Sequence, residues 1–174
     1  MIDAASRGAA NAATRRPMAR PVAAAASIDI NASPERTRAA SLALDPVRIV
    51  RAQGLLPGVR AVSGQRGAWS AEGQMRVLTL TDGATAEETL LALEPGGYRY
   101  RIAGFTGPFA RLASHAEARF EAAPRGEGTR LSWTYEFHPK GAVSAAILSF
   151  LVDGWWNAFM EAALTRLKDE IERA

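Results

Sequence analysis

Residues 130–138 alternate strictly between polar and apolar side chains. Successive side chains of a β-strand point to opposite faces of a sheet, so this alternation predicts a strand with one buried face. A sealed core usually contains aliphatic residues at such positions, whereas Trp and Tyr suit a cavity wall because each carries a polar group on an apolar ring. The strand therefore predicts a sheet whose inner face is rich in aromatic rings, here Leu131, Trp133, Tyr135 and Phe137.

Strand patterns separated by turn signals fill most of the preceding chain. Asp82-Gly83, Gly96-Gly97 and the segment 124–128 are turn sequences of the kind that join antiparallel strands. Consecutive hairpins of this kind predict an antiparallel meander. The predicted strands are 22–30, 58–63, 67–72, 74–81, 87–94, 98–104, 112–122 and 129–138.

Two short helices are predicted between the first and second strands. Ser33 can cap a helix whose first residue is Pro34, and Asp45-Pro46 repeats the same start signal. The predicted helices cover residues 34–44 and 46–53, and they must bend sharply against each other because a single capping residue joins them.

Residues 142–173 predict one long C-terminal helix, which starts after Pro139-Lys-Gly141. Gly154 interrupts it with a poor helix former, which indicates either close packing against the sheet or the approach of a ligand. One row of side chains advances by four residues and should face the sheet obliquely. That row is Leu151, Trp155, Phe159, Ala163, Leu167 and Ile171.

Composition narrows the classes of function. The chain has 174 residues, enough for one domain, and no cysteine, which excludes disulfides, thiolate catalysis and Cys-ligated zinc. Its net charge of +3 comes from residues 1–26, which contain four basic residues, Arg7, Arg15, Arg16 and Arg20, and one acidic residue, Asp3. The rest of the chain is neutral and lacks the basic patch of a nucleic-acid-binding protein.

The N-terminal segment differs from the rest of the chain. Residues 1–21 are rich in Ala and Arg and predict a disordered tail, so residues 22–174 are the expected single domain. No hydrophobic segment of a signal peptide follows Arg15-Arg16, which favours a cytoplasmic location. No run of the ~18 apolar residues that span a bilayer was identified, so no transmembrane segment is expected. The protein is expected to be a monomer or a homodimer.

The order strand, two short helices, meander, long helix resembles the START-like, or Bet v 1-like, superfamily, and most closely its bacterial polyketide cyclase/dehydrase group. The likeness covers about residues 22–174 and depends on the order and spacing of several short stretches. They are 28–35, Pro57-Gly-Val59, Gly67-Ala-Trp69, Gly73-Gln-Met-Arg76, Asp82-Gly83, Glu88, 98–102, Gly128-Thr129, Trp133 and the terminal helix.

The resemblance implies an α+β helix-grip fold, in which a curved antiparallel sheet wraps around the long helix and encloses a mainly apolar cavity. Members of the superfamily bind lipids, sterols, polyketides, plant hormones or isoprenoid quinones, and some catalyse cyclisation or dehydration. The superfamily has no universal catalytic motif, and no cofactor or metal is expected here.

The expected cavity wall combines inward side chains of the sheet, the long helix and one loop, with Leu55 and Leu56 near the mouth. Phe105 and Phe109 lie in that loop, which either gates the cavity or forms a hydrophobic turn at the sheet edge. The expected ligand-binding residues are Val77, Tyr98, Tyr100, Phe105, Phe109, Phe120, Leu131, Trp133, Tyr135, Phe137, Leu151, Trp155 and Phe159.

Glu88 and Tyr100 are the candidate catalytic residues. Glu88 either pairs with a cross-strand arginine such as Arg76 in an exposed ion pair or, on a concave face, acts as a general base. His115 and His138, the two histidines, are expected to point outward and to bind no metal.

Three functions remain open from the sequence. The first is binding of a hydrophobic small molecule, lipid, polyketide or isoprenoid-like, in the cavity. The second is a cyclase or dehydratase that uses Glu88 or a tyrosine, and the third is a protein-interaction module without a ligand.

Overall fold

The computed structural model describes residues 19–173, and within them the chain forms one antiparallel sheet gripped around a long helical segment. The strands follow one another as hairpin neighbours, except that β1 pairs with β7 at one edge, giving the order β1-β7-β6-β5-β4-β3-β2. This is the predicted helix-grip architecture. The strands are β1 Val22–Ile30, β2 Val59–Ser63, β3 Met75–Leu80, β4 Thr85–Glu94, β5 Gly97–Ala103, β6 Ala113–Arg125 and β7 Gly128–Pro139.

The helical elements are α1 Pro34–Ala43, α2 Pro46–Ile49, α3 Phe109–Leu112, α4 Ala142–Leu151 and α5 Asn157–Arg173, with a π-helical turn, Val152–Trp156, between α4 and α5. The predicted disordered tail, residues 1–21, lies almost wholly outside the described residues and stays a prediction.

Both predicted helix starts are confirmed by their caps. The Ser33 side chain accepts a hydrogen bond from the Arg36 amide at 3.3 Å, and the Asp45 carboxylate accepts one from the Val47 amide at 3.0 Å. The second helix ends at Ile49 rather than at residue 53, because a tight turn that pairs Gln53 with Leu56 follows it.

The predicted strand 67–72 is wrong, since this segment is a loop between β2 and β3. Gly64, Gly67 and Gly73 have positive φ values of 73°, 72° and 81°, which a strand ladder does not accommodate. The loop is held by Gln74, whose side-chain oxygen accepts hydrogen bonds from the amides of Ser70 and Ala71 at 2.7 and 2.9 Å.

The long C-terminal helix has the predicted extent, but its first half faces a different way. From Phe159 onward the expected row is buried, including Ala163, Leu167 and Ile171. Before it, Leu148 and Val152 are buried instead of residues 151 and 155. A π-turn holds one extra residue, and one residue corresponds to about 100° of rotation around the helix axis. Thus α4 is rotated relative to α5.

The helical segment Ala142–Arg173 is long and apolar enough, by length and composition alone, to cross a membrane, a candidate that was not identified from the sequence. In the fold, this segment is the core helix, because α5 buries Phe159, Met160, Leu164 and Leu167 beside the sheet. Its first part, α4, combines an apolar composition with an exposed side.

Candidate functional site

A cavity of about 140 Å³ lies between the concave face of the sheet, the α1–α2 segment and the long helix. The long helix contributes Trp156 and Phe159 to its wall, and α2 contributes Ile49. Its lining is mainly apolar and aromatic, with Arg76 and Glu88 as the buried charged side chains.

Most of the residues expected in the cavity wall are there. Each comes from the inner face of β5, β6 or β7, from the loop before α3, from α3 itself, or from α5. That these side chains contact a ligand stays a prediction. The lining residues that the sequence predicted are Tyr98, Tyr100, Phe105, Phe109, Phe120, Trp133, Tyr135, Phe137 and Phe159.

Val77 and Leu131 do not line the cavity, contrary to expectation. Strand β3 turns Arg76 and Leu78 inward, so Val77 faces the outer side. Both faces of β3 carry apolar residues, and the alternation alone did not decide between them. Leu131 faces inward as predicted, but it is 1% exposed and pairs with Ile28 of β1, beyond the end of the cavity.

Leu151 and Trp155 are likewise outside the cavity wall, because the π-turn rotates them away from the sheet. Trp156 takes the expected place of Trp155. Gly154 is exposed, and a Cβ at this position would meet no atom within 4 Å, so close packing against the sheet does not account for the glycine. Leu55 and Leu56, expected near the mouth, are also absent from the lining.

The aromatic rings of the sheet and of the helix touch each other. On the sheet, Phe120 stacks on Trp133 with ring centroids 5.0 Å apart and on Tyr98 at 5.2 Å. Trp156 closes this wall from the helix, with centroid distances of 4.9 Å to Phe137 and 5.2 Å to Tyr135. The space left between the two surfaces is therefore small at this end.

Arg76 and Glu88 form a buried ion pair in the cavity wall. They are cross-strand neighbours on β3 and β4, and Arg76 Nε lies 2.5 Å from Glu88 Oε2. The predicted pairing is confirmed, but the expected exposure is wrong, because the two residues are only 7% and 4% exposed. Burial raises the pKa of Glu88, while the Arg76 guanidinium opposes this shift.

The guanidinium of Arg76 is also covered by Trp69, whose ring centroid lies 4.2 Å from Arg76 Cζ. This is a cation–π contact in a desolvated place, where such contacts are strongest. Trp69 lies in the β2–β3 loop and is 4% exposed. No direct signal in the sequence indicated this role, since Trp69 stood in a segment interpreted as a strand.

Three tyrosine hydroxyls lie on the inner face of the sheet. Tyr98 donates a hydrogen bond to the Ser41 carbonyl oxygen at 3.3 Å, and Tyr100 accepts one from Trp133 Nε1 at 2.9 Å. Within the described residues, Tyr135 makes no side-chain hydrogen bond. Burial raises the pKa of all three hydroxyls, so they remain protonated at neutral pH.

The segment with Phe105 and Phe109 lies at the cavity and is also tied to the sheet edge. Phe109 contacts Phe137 and Trp156 with ring centroids 6.0 and 6.1 Å away. The Thr85 amide donates to Thr106 Oγ1 at 2.7 Å, which holds the segment against β4. Both interpretations of the loop therefore have a structural basis.

The two histidines are not part of the cavity. His115 and His138 are cross-strand neighbours of β6 and β7, and their rings stack with centroids 4.0 Å apart. The Ser114 hydroxyl lies 3.0 Å from His115 Nδ1. Within residues 19–173, no group of three or more His, Asp or Glu side chains is arranged as a metal site.

Almost the whole chain matches one known protein family. Residues 21–172 match the family described as "Polyketide cyclase / dehydrase and lipid transport". Among curated proteins, no match was found.

Solved structures share the fold at low sequence identity. Ara h 8.0201 is 13% identical with a TM-score of 0.66, over 88% of this chain and 99% of that one. The protein TTHA0849 from Thermus thermophilus is 16% identical with a TM-score of 0.66, over 87% and 98%. The KanY protein is 18% identical with a TM-score of 0.62, over 89% and 99%. At such identities these likenesses concern the fold.

Proposed function

The chain belongs to the polyketide cyclase/dehydrase and lipid transport family, and we propose that it binds a hydrophobic small molecule of the lipid, polyketide or isoprenoid kind in the cavity. The observation that carries the proposal is the buried Arg76–Glu88 pair in the wall of a mainly apolar cavity. Replacing a buried ion pair with apolar side chains is often neutral or stabilising, so a pair kept beside a cavity suggests a role in recognition. We further propose that residues 22–174 form one ligand-binding domain that acts in the cytoplasm.

The ligand we propose has an apolar body and one polar end with oxygen atoms. Its hydroxyl or carbonyl group would lie against Arg76 and Glu88, whose remaining N–H groups and lone pairs can donate and accept. A second donor is present on the helix side, because the buried Trp156 Nε1 has no partner within the described part of the chain. Buried indole N–H groups usually have a partner, and a ligand oxygen would supply one.

The size of the cavity limits what it holds in its present form. A volume of about 140 Å³ is below the ~300–1,000 Å³ of sites for drug-sized ligands, and it is close to the ~150 Å³ of a cavity that accepts benzene. A larger ligand would therefore displace Phe109 and Trp156, the rings that close the space beside Phe137.

The test is native mass spectrometry of freshly purified protein, with a lipid-like or polyketide-like adduct as the expected result. Ala86→Leu should remove the adduct, since Ala86 lines the cavity and is 3% exposed. Thr89→Leu places the same side chain on the outer face of the same strand and should retain it. A consistently empty spectrum, together with no binding of a hydrophobic fluorescent probe, would overturn the proposal.

The alternative is a cyclase or dehydratase, and the raised pKa of Glu88 beside Tyr100 in the cavity wall favours it. In that reaction Glu88 would remove a proton from the carbon next to a ligand carbonyl, and the aromatic wall would hold the chain folded. The small volume instead favours the third possibility, a protein-interaction module without a ligand, which the empty-spectrum outcome would support.

A further inference from the structure

The first half of the long helix presents an apolar face to solvent. In α4, Val143, Ile147 and Phe150 are 75%, 42% and 66% exposed. Their spacing of four and three residues places them on one side of the helix. Single exposed apolar side chains are common, but a continuous exposed group of them marks an interaction site.

The apolar face continues beyond α4. Phe150 and Trp155 meet edge to face with ring centroids 5.2 Å apart. Trp155 lies beside Gly54, where a Cβ would be 3.5 Å from the Trp155 ring, and the next residue, Leu55, is 73% exposed. We call the surface formed by Val143, Ile147, Phe150, Trp155 and Leu55 the α4 face.

The π-turn explains why this surface is apolar. Val143 and Ile147 continue, in steps of four, the row that runs through Trp155 to the buried Phe159. In an uninterrupted α-helix, this row would face the sheet along its whole length. The extra residue of the π-turn rotates the first half of the row to the surface. The exposure is thus built into the fold.

Basic side chains lie at both ends of the α4 face. At one end, Lys140 precedes α4, and the Arg111 carbonyl oxygen accepts a hydrogen bond from Ser144 of α4 at 3.4 Å. At the other end, Arg51 is exposed in the segment that leads to Leu55. None of the three forms an ion pair with another described residue. Asp153, the exposed acid of the π-turn, lies beside Ala23 and Ala25 of β1.

We propose that the α4 face docks on the surface of a membrane that contains anionic phospholipids. Helix α4 would lie in the plane of the interface with its apolar side chains among the upper acyl chains, as amphipathic interfacial helices do. Trp155 suits the interface because Trp rings concentrate there, and Phe150 suits the inserted apolar side of an interfacial helix. Lys140, Arg111 and Arg51 would contact the acidic headgroups.

The charges disfavour a second copy of the chain as the occupant. In a two-fold dimer the same patch meets itself, so a basic end of one copy faces a basic end of the other. An anionic lipid surface neutralises both ends. The docking proposal is independent of a cavity ligand, because it depends only on the outer side of α4.

Flotation of the full-length protein with vesicles tests the proposal. We expect binding to vesicles of phosphatidylglycerol and phosphatidylcholine in equal parts, weaker binding to phosphatidylcholine alone, and loss of binding in high salt. Phe150→Ser should weaken the binding to the mixed vesicles about tenfold, since affinity follows the apolar area inserted. Arg51→Glu with Arg111→Glu should also weaken it, and more so at low salt.

Met75→Ser is the matched control, because Met75 is 52% exposed on the outer face of β3. The N-terminal arginines are present in all variants, so they cannot account for a difference between Phe150→Ser and Met75→Ser. Equal binding of these two variants, or no binding of the wild-type protein to mixed vesicles, would overturn the proposal. So would a dimer in light scattering that Phe150→Ser converts to a monomer without any change in vesicle binding.

Discussion

Phe137 and Trp156 lie edge to face across the boundary between sheet and helix, with ring centroids 4.9 Å apart and an interplanar angle of 81°. This contact closes one end of the cavity. It exists because the π-turn brings Trp156, rather than Trp155, round to the sheet.

Trp156→Ala should destabilise the protein by about 3 kcal/mol, since it removes the ring that contacts Phe109, Tyr135, Phe137 and Phe159. Trp155→Ala should cost less, because the Trp155 ring meets Phe150 and Gly54 at the surface. Urea denaturation of both variants measures the two free energies of unfolding. If Trp155→Ala proved the more destabilising change, the C-terminal helix in solution would lack the π-turn and would turn Trp155 toward the sheet.

Arg76→Met should cost about 3 kcal/mol or more, because it leaves the Glu88 carboxylate buried without a counter-charge. The double variant Arg76→Met with Glu88→Leu should recover most of the loss, since neither charge then remains. A double-mutant cycle by urea denaturation measures the coupling. A loss below about 1 kcal/mol in Arg76→Met would match an exposed pair and contradict the buried geometry.

Glu88→Gln should leave the protein folded but less stable, because the amide keeps the shape of the carboxyl group and can still accept a hydrogen bond from Arg76, while the buried guanidinium loses its counter-charge. Circular dichroism and thermal unfolding measure this outcome. If the protein unfolds, the role of Glu88 is structural and the general-base alternative loses its basis. A folded Glu88→Gln variant that binds ligand but transforms none would favour catalysis.

Gly97→Ala and Gly154→Ala should have opposite effects on stability. A Cβ at Gly97 would lie 2.1 Å from the Phe120 carbonyl oxygen, so strands β5 and β6 must separate to admit it, at a cost of roughly 2 kcal/mol or more. Gly154 has open space and sits in a helical segment, so alanine should stabilise the protein by about 0.5–1 kcal/mol. Thermal melting curves distinguish the two, and a stable Gly97→Ala would contradict the strand spacing.

Acidification should weaken the fold through His115. Its pKa is lowered from 6.5 by burial and by the nearby His138 and Arg101, while Glu117 acts in the opposite direction. Because the folded protein binds this proton less readily than the unfolded chain, the contribution is complete above about pH 6.5 and is lost as pH falls through the folded value. His115→Gln should therefore flatten the pH dependence of the unfolding free energy in that window. If the unfolding free energy of His115→Gln depended on pH as steeply as that of the wild-type protein, His115 would not be the group responsible.

The element order was predictable because each signal is local. The helix caps Ser33 and Asp45, the turn at Asp82-Gly83 and the alternation of β7 each act within a few residues, and the structure confirms them. The aromatic side chains of β5, β6 and β7 were assigned to the cavity for the same reason, since alternation fixes which residues share a face.

Other parts of the candidate site could not be predicted from local pattern. Strand β3 carries apolar residues on both faces, so its placement of Arg76 inside and Val77 outside depends on what it pairs with. Trp69 reaches Arg76 from a loop whose path is set by glycines and by Gln74.

The sequence by itself determined most of the strands, their hairpin order, the two caps and the extent of the C-terminal helix, because these follow from short-range sterics and periodicity. Only the tertiary structure decided that the helix contains a π-turn, that Trp156 rather than Trp155 meets Phe137, and that Arg76 and Glu88 are buried. An extra residue in a helix and a charge pair in a core are locally unfavourable. Both features persist where contacts between segments that are distant in the sequence offset their cost. Local sequence patterns do not reveal those contacts.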